Sequence, residues 1–131
     1  MLADRFRTAI ETGGAPDALA ALYASDALLD ANVPVWRFQR KGLEEITAQF
    51  VDWYAADGSQ IEDLHEWVAD WGSVIETVDR GSTDGEPTYS RTLHLLLVED
   101  GKVTRHIMYC TGRWDAATEA RQRVEAPMVE R

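Results

Sequence analysis

Alternating apolar and polar positions mark two strand-like stretches in the last third of the chain, residues 89–99 and 102–113. Asp100 and Gly101 lie between them. An Asp-Gly pair between two such stretches is a strong signal for a tight hairpin, because both central residues of the favoured turn adopt positive φ. We therefore predict an antiparallel β-hairpin that turns at Asp100 and Gly101.

This turn also predicts which residues of the two strands face each other. With Glu99 opposite Lys102, His106 lies opposite Leu95, and every second residue of a strand points to the same face. One face then carries Arg91, Leu93, Leu95, His106, Met108 and Cys110. The other carries Thr92, His94, Leu96, Val98, Val103, Arg105, Ile107, Tyr109 and Thr111. Since both faces are largely apolar, we expect helices to cover one and a second subunit to cover the other.

Apolar residues recur at helical spacing in three segments that precede most of the strands. Gly13 and Gly14 end the first helix, and Pro16 suits the first turn of the second. The apolar stripes of the three helices are Leu2, Phe6, Ala9 and Ile10; Leu19, Leu22 and Tyr23; and Leu43, Ile46, Phe50, Trp53 and Tyr54.

Further strand-like stretches are residues 27–33, 60–71 and 73–80, whereas residues 81–87 are rich in turn formers and predict a loop. Residues 115–124 have a helical pattern. Helices followed by antiparallel strands are typical of an α+β domain with helices on one sheet face. At 131 residues, we expect a single domain, 1–131.

The formal net charge of -10 and the pI near 4.6 exclude several partners. Binding to nucleic acid or to an anionic membrane depends on clustered Lys and Arg, so we expect neither. Asp4, Arg5 and Arg7 replace the apolar core of a signal peptide, and we expect a cytoplasmic protein. Cys110 is the one cysteine, zinc-type spacing is absent, and we expect a buried thiol and no metal site.

The order of these segments resembles a known family. Residues 13–27 read GGAPDALAALYASDA, and a strand, a glycine turn, a third helix and Asp100-Gly101-Lys102-Val103 follow. This arrangement resembles the SnoaL-like group of the nuclear transport factor two-like superfamily. The resemblance implies a cone-shaped, curved antiparallel sheet that wraps around the N-terminal helices and encloses a pocket. It also implies chemistry without a cofactor, but not which reaction, because the fold hosts many functions.

Residue by residue, the resemblance excludes one known mechanism and argues against a second. The ketosteroid isomerases' catalytic aspartate, oxyanion tyrosine and protonated aspartate align with Ala31, Phe6 and Leu93, which can neither move a proton nor hold an enolate. The limonene epoxide hydrolases' asparagine and arginine align with Asn32 and Arg91, but both of their catalytic aspartates align with apolar residues.

The pocket-facing positions that the resemblance implies are Glu76, Val78, Arg91, Leu93, His106, Met108 and Cys110. Among them we predict that Glu76 and His106 form a catalytic acid/base couple, since each can titrate near neutral pH in suitable surroundings. The alternative is that Glu76 only neutralises Arg91 or Arg80 in a buried ion pair. His94 falls on the opposite face in this register and is interpreted as a core or interface residue.

Two alignments disagree on which residues of the first predicted strand face the pocket. The isomerase alignment places Ala31 inside, whereas the hydrolase alignment places Asp30 and Asn32 inside. We favour the second, in which Asp30 is a third catalytic candidate and Asn32 binds substrate. Trp36 and Trp53 are candidates for stacking on a flat ligand.

These observations predict a homodimer, paired through the outer sheet face, that binds a small hydrophobic metabolite. Arg91, Leu93, Met108 and Cys110 would contribute to binding. Acid/base catalysis of the isomerase, cyclase, dehydratase or hydrolase type would fall to Glu76 and His106. The alternative is a non-catalytic binding or dimerisation module whose buried polar groups form only a satisfied network.

Overall fold

The computed structural model describes residues 1–56 and 58–130 and has an α+β architecture. Its α-helices are α1 (Leu2–Glu11), α2 (Pro16–Leu22), α3 (Leu43–Phe50) and α4 (Ala116–Glu125), and a π-helix, Val51–Ala55, continues α3. Its strands are β1 (Tyr23–Val33), β2 (Trp36–Lys41), β3 (Gln60–Ala69), β4 (Gly72–Thr83), β5 (Glu86–Glu99), β6 (Lys102–Cys110) and β7 (Trp114–Asp115). Among the described residues, no helix is long and apolar enough to cross a membrane.

The strands form one curved, unclosed sheet in the order β2-β1-β6-β5-β4-β3, with β7 against β5. Neighbouring strands are antiparallel except β1 and β6, which are parallel. The predicted α+β fold is confirmed, although this parallel pair departs from an entirely antiparallel sheet. Helices α1, α2 and α3 contribute to a core whose largest fully buried residues include Phe6, Leu19, Tyr23 and Phe50.

Helix α1 ends at Glu11, just before the predicted stop at Gly13 and Gly14, which both have positive φ. A Cβ on Gly14 would lie 2.9 Å from the Cβ of Phe50, so this glycine lets the α1–α2 turn approach α3 closely. The prediction that Tyr23 belongs to the apolar stripe of the second helix was wrong. Its φ of -102° and ψ of 144° are extended, and it begins β1.

The hairpin turn is confirmed, since Asp100 and Gly101 both have positive φ and Glu99 pairs with Lys102. The loop predicted at residues 81–87 is wrong. Strands β4 and β5 run through most of it and turn at Asp84 and Gly85, which also have positive φ. This second Asp-Gly pair was an overlooked hairpin signal.

The register predicted for the hairpin is correct only next to its turn. Val98 pairs with Val103, but Leu97 pairs with Arg105, so Thr104 is an extra residue in β6. Such a β-bulge shifts every later pair by one position. His106 consequently lies opposite Leu96 instead of Leu95.

Candidate functional site

A chain of hydrogen bonds between buried polar side chains crosses the concave face of the sheet. The Tyr23 hydroxyl lies 2.6 Å from His106 Nδ1, and His106 Nε2 lies 2.8 Å from His94 Nδ1. His94 Nε2 lies 3.3 Å from Thr77 Oγ1, which donates to Asp79 Oδ2 over 3.1 Å. We call these five residues the polar chain.

Donor and acceptor capacities assign a direction to the polar chain. Thr77 donates its hydroxyl proton to Asp79, so the bond from His94 Nε2 must be an N–H donation to the Thr77 oxygen. His94 Nδ1 then accepts from His106 Nε2–H, and His106 Nδ1 accepts from the Tyr23 hydroxyl. Both imidazoles are neutral and carry their protons on Nε2, and each of the four ring nitrogens has a partner.

Burial explains why the two histidines are neutral. It lowers the pKa of His106 to about 3 and lowers that of His94 well below its ordinary value, and in His94 the neighbouring His106 adds to the effect. Burial also raises the pKa of the Tyr23 hydroxyl well above its ordinary value. Phe6 of α1 packs edge-on against both rings, with centroids 4.6 Å from His94 and 5.7 Å from His106.

The fold assembles the polar chain by strand order. Tyr23, His106 and His94 belong to β1, β6 and β5, and Thr77 and Asp79 belong to β4, four strands that are neighbours in the sheet. This cluster was not predicted from the sequence, because the register of an uninterrupted hairpin puts His94 on the other face. The bulge at Thr104 brings His94 and His106 to one face.

The predicted Glu76–His106 couple is not assembled, and this placement was wrong. Glu76 pairs across the sheet with Leu93 and lies on the convex face, whereas His106 is buried on the concave face. Arg91 Nη2 donates to Glu76 Oε1 over 2.9 Å. Glu76 therefore neutralises Arg91, which is the alternative role considered for it above. The ion pair is half-exposed, however, and not buried.

Asp30 and Asn32 also lie on the convex side, so the favoured alignment of β1 was wrong. Ala31, fully buried beside Met108, faces the core. Arg37 holds the Asp30 carboxylate in a bidentate pair of 2.9 and 2.7 Å, and this hydrogen bonding lowers the pKa of Asp30. The Asn32 amide donates to the Met108 carbonyl over 3.0 Å.

The other predicted binding residues divide between the two faces. Met108 and Cys110 share the concave face with His106, where Cys110 is half-buried and Met108 belongs to the core. The convex face carries Arg91 and also Leu93, which is 38% exposed. Trp36 begins β2 and is 74% exposed.

Trp53 is the predicted ligand-stacking residue that lines a cleft. The cleft has a volume of about 380 Å³, is open at the surface, and lies between residues 52, 53 and 56, the β4–β5 turn at residues 82–85, and Arg113. We call it the Trp53 cleft. Behind it, the Trp53 ring contacts those of Phe38, Phe50 and Tyr54 at centroid distances of 5.8, 6.4 and 6.0 Å.

A second depression of about 380 Å³ lies on α3 and β2, between Arg40, Glu45, Ala48, Gln49 and Asp52. It is also open, and its lining residues include no aromatic side chain. Neither depression is the enclosed pocket that the resemblance implied. The described residues also include no cluster of three or more His, Cys, Asp or Glu side chains placed to hold a metal ion.

Comparison with known proteins identifies the class to which this fold belongs. The profile of the SnoaL-like domain matches residues 3–106, and the chain therefore belongs to the SnoaL-like family. No curated protein has a significant sequence match to the chain.

Solved structures agree on the fold. An NTF2-like protein from Anabaena variabilis has a TM-score of 0.70 and 22% identity over 85% of this chain and 84% of its own. An LEH-like epoxide hydrolase from M. tuberculosis has a TM-score of 0.65 and 16% identity, with coverages of 83% and 79%. A hypothetical protein with a ketosteroid isomerase-like fold from Catenulispora acidiphila, in complex with trimethylamine, has a TM-score of 0.65 and 22% identity, with coverages of 84% and 85%.

Proposed function

We propose that this chain binds a small, flat and largely apolar molecule in the Trp53 cleft. The observation that carries the proposal is Trp53, a half-buried residue that lines an open volume of about 380 Å³ and whose ring packs against three more aromatic rings. Small-molecule sites usually have volumes of a few hundred Å³ and combine aromatic walls with a few polar groups. The epoxide hydrolase and the trimethylamine complex among the structural neighbours support a small-molecule role.

The positions of Glu76 and His106 favour a binding protein over one in which these two residues catalyse a reaction. A general acid or base must reach the proton that it transfers. All four ring nitrogens of His94 and His106 are engaged inside the polar chain, and Glu76 is held by Arg91 on the other face. The hydrogen bonds of the two imidazoles thus support the alternative of a non-catalytic binding module.

The lining of the Trp53 cleft also indicates the charge of its ligand. Asp52 and Asp84 contribute two carboxylates, Arg113 one cation, and Ser82 and Thr83 two hydroxyls. Two carboxylates close to the site, in a chain with a net charge of -10, oppose an anionic ligand. We therefore exclude an anionic ligand from the proposal.

Titration of the ¹⁵N-labelled protein with 2-acetylnaphthalene will test this proposal. The chain has five tryptophans, and each gives its own indole N–H signal. We expect a saturable shift of the Trp53 signal, identified by its loss in Trp53→Phe. Trp67 lies on β3 and Trp71 just after it, and neither lines the Trp53 cleft, so their signals serve as internal controls. Equal shifts of all five signals, or none at any, would contradict the proposal.

We also propose that two copies of the chain pair through the convex face of the sheet. A row of mostly apolar residues crosses this face, and Trp67, Leu93 and Tyr109 are 55%, 38% and 56% exposed. The Glu76–Arg91 and Asp30–Arg37 ion pairs on the same face place both signs of charge beside this row. Such a mixed surface can meet a second copy of itself in a two-fold interface.

Sedimentation velocity at micromolar concentration will test the pairing. We expect the mass of a dimer for the wild type and that of a monomer for Leu93→Lys, which places a charge in the interface. Because the Leu93 side chain is already partly exposed, the substitution should leave the fold intact. A monomeric wild type would contradict the proposed dimer.

A further inference from the structure

Strand β3 forms one edge of the sheet, because within the described residues it pairs only with β4. Helix α1 blocks the start of this edge with side chains. The Ile61 N–H donates to Glu11 Oε1 over 3.2 Å, and Arg7 Nη1 donates to the Ile61 carbonyl over 3.2 Å. The Arg7–Glu11 ion pair therefore supplies a donor and an acceptor where a neighbouring strand would supply its own.

The β3 edge is open beyond Ile61. The Leu64 N–H donates to the neighbouring Asp63 carboxylate over 3.0 Å and so points away from β4. Alternate residues of a strand direct both backbone groups to the same side, and β3 pairs regularly after Asp63, so the N–H and C=O groups of Glu66 and Val68 also point outward. No group in the described part of the chain bonds these outward groups.

The open part of β3 lacks the features that usually protect an edge strand. Lys, Pro or a bulge ordinarily discourages further pairing. The bulge of β3 lies earlier, between Ile61 and Asp63, and residues 60–71 contain no Lys or Pro. Trp67 is exposed on the convex side, and Val68 is 74% exposed on the concave side. A further strand can therefore pair with this edge.

The charges along the β3 edge favour a basic partner. Asp63 lies on the convex side and Glu66 on the concave side, and residues 60–71 contain no Arg either. Because an added strand alternates its side chains between the two faces, it meets a carboxylate and an exposed apolar residue, Trp67 or Val68, on each face. The net charge of -10 adds to the attraction of a cation.

Cations on the neighbouring strands do not reverse this charge. Arg80 of β4 contacts both Glu62 and Glu119, and Arg91 of β5 contacts Glu76. Each guanidinium is thus matched by at least one carboxylate, and the β3 edge keeps its negative charge.

We propose that the β3 edge, from Leu64 to Val68, binds an extended basic segment of another protein by strand addition. In this mode the partner's backbone bonds the outward N–H and C=O groups, and its side chains determine specificity. The added strand lies beside β3 in the plane of the sheet and leaves free the convex face on which we propose that two copies pair. The inference goes beyond the proposed small-molecule function and does not depend on it.

Titration of the ¹⁵N-labelled protein with the capped peptide Arg-Lys-Val-Val-Arg-Lys at pH 7.5 will test the proposal. We expect saturable shifts of the Glu66 and Val68 amide signals and slower hydrogen exchange at both amides, because the partner accepts from them. The amides of β2, at the opposite edge, should not shift, because Arg37, Arg40 and Lys41 repel the peptide. The same peptide with both valine amides methylated keeps its charge but should bind about tenfold more weakly.

Two variants of one residue separate the backbone bonds from the side chain. Val68→Pro removes an outward N–H and leaves the pairing with β4 intact, because proline is tolerated where the N–H of an edge strand faces solvent. It should weaken binding of the peptide by about tenfold. Val68→Thr keeps both the N–H and a β-branched side chain and should bind like the wild type.

The outcomes that overturn the proposal differ from one another. Equal affinity for the two peptides, or equal affinity of Val68→Pro and the wild type, would leave only charge attraction and rule out strand addition. Equal binding of the acidic peptide Glu-Glu-Val-Val-Glu-Glu would rule out the basic partner. Protection of the Glu66 and Val68 amides that rises with protein concentration alone would show that a second copy occupies the edge. Absence of any shift with the basic peptide would also overturn the proposal.

Discussion

Replacing His106 by phenylalanine will lower the free energy of unfolding by about 2–6 kcal/mol. The substitution leaves the Tyr23 hydroxyl without its acceptor and His94 Nδ1 without its donor, both in the fully buried core. A buried polar group without a partner costs about 1–3 kcal/mol, and this change creates two. Urea unfolding at pH 7.5, followed by circular dichroism, measures the loss.

Two further variants distinguish the polar chain from a general effect of substitution. Tyr23→Phe leaves only His106 Nδ1 without a partner and should cost about 1–3 kcal/mol. His65→Phe, at a side chain that is 59% exposed, should change stability by less than about 0.5 kcal/mol. If His106→Phe proves no more harmful than His65→Phe, the polar chain does not stabilise the fold.

The second large effect is a loss of stability as the pH falls from about 7 towards 5. In the unfolded chain His94 and His106 titrate near the ordinary value of 6.5, whereas burial depresses both pKa values in the fold, that of His106 to about 3. Between these values the unfolded state binds more protons than the folded state. The stability that the two neutral histidines contribute is therefore present above pH 6.5. It declines as the pH falls further, by about 1.4 kcal/mol per pH unit for each histidine.

Carboxylates contribute to the pH dependence of stability in a lower pH range. Hydrogen bonds from Arg37 lower the pKa of Asp30, and those from Arg80 and Arg123 lower the pKa of Glu119 to about 2. Both are ionised in either state between pH 7 and pH 5, and their contribution is lost only below about pH 4. Urea unfolding at half-unit intervals from pH 8 to pH 5 isolates the histidines. Equal stability at pH 7 and pH 5 would rule out two neutral buried imidazoles.

Much of the fold follows from local patterns in the sequence. Helical spacing predicted α1 and α3, and the Asp100-Gly101 pair predicted the hairpin turn. The resemblance to the SnoaL-like group is confirmed by the family profile. These predictions succeed because turn chemistry and amphipathic spacing depend on neighbouring residues.

The candidate site was harder to predict because it depends on which face each strand presents. A single extra residue at Thr104 shifts the hairpin register, and it moved His94 from the predicted outer face to the core. On β1, the two alignments differed by one residue, and the one that places Ala31 inside is correct. No turn former or proline marks Thr104 in the sequence. Trp53 was named as a binding residue, but Arg113 beside it was missed because its partners are distant in sequence.

We expect the polar chain to make folding more cooperative. Tyr23 and His106 are 83 residues apart in sequence, and they meet only when β1 docks beside β6. A hairpin of β5 and β6 that collapses beforehand would bury His106 Nδ1 without the Tyr23 hydroxyl that donates to it, which would raise the free energy of such a collapsed hairpin. Closing so long a loop is slow. The chain should therefore cross a high barrier late in folding and then occupy one well-defined native state.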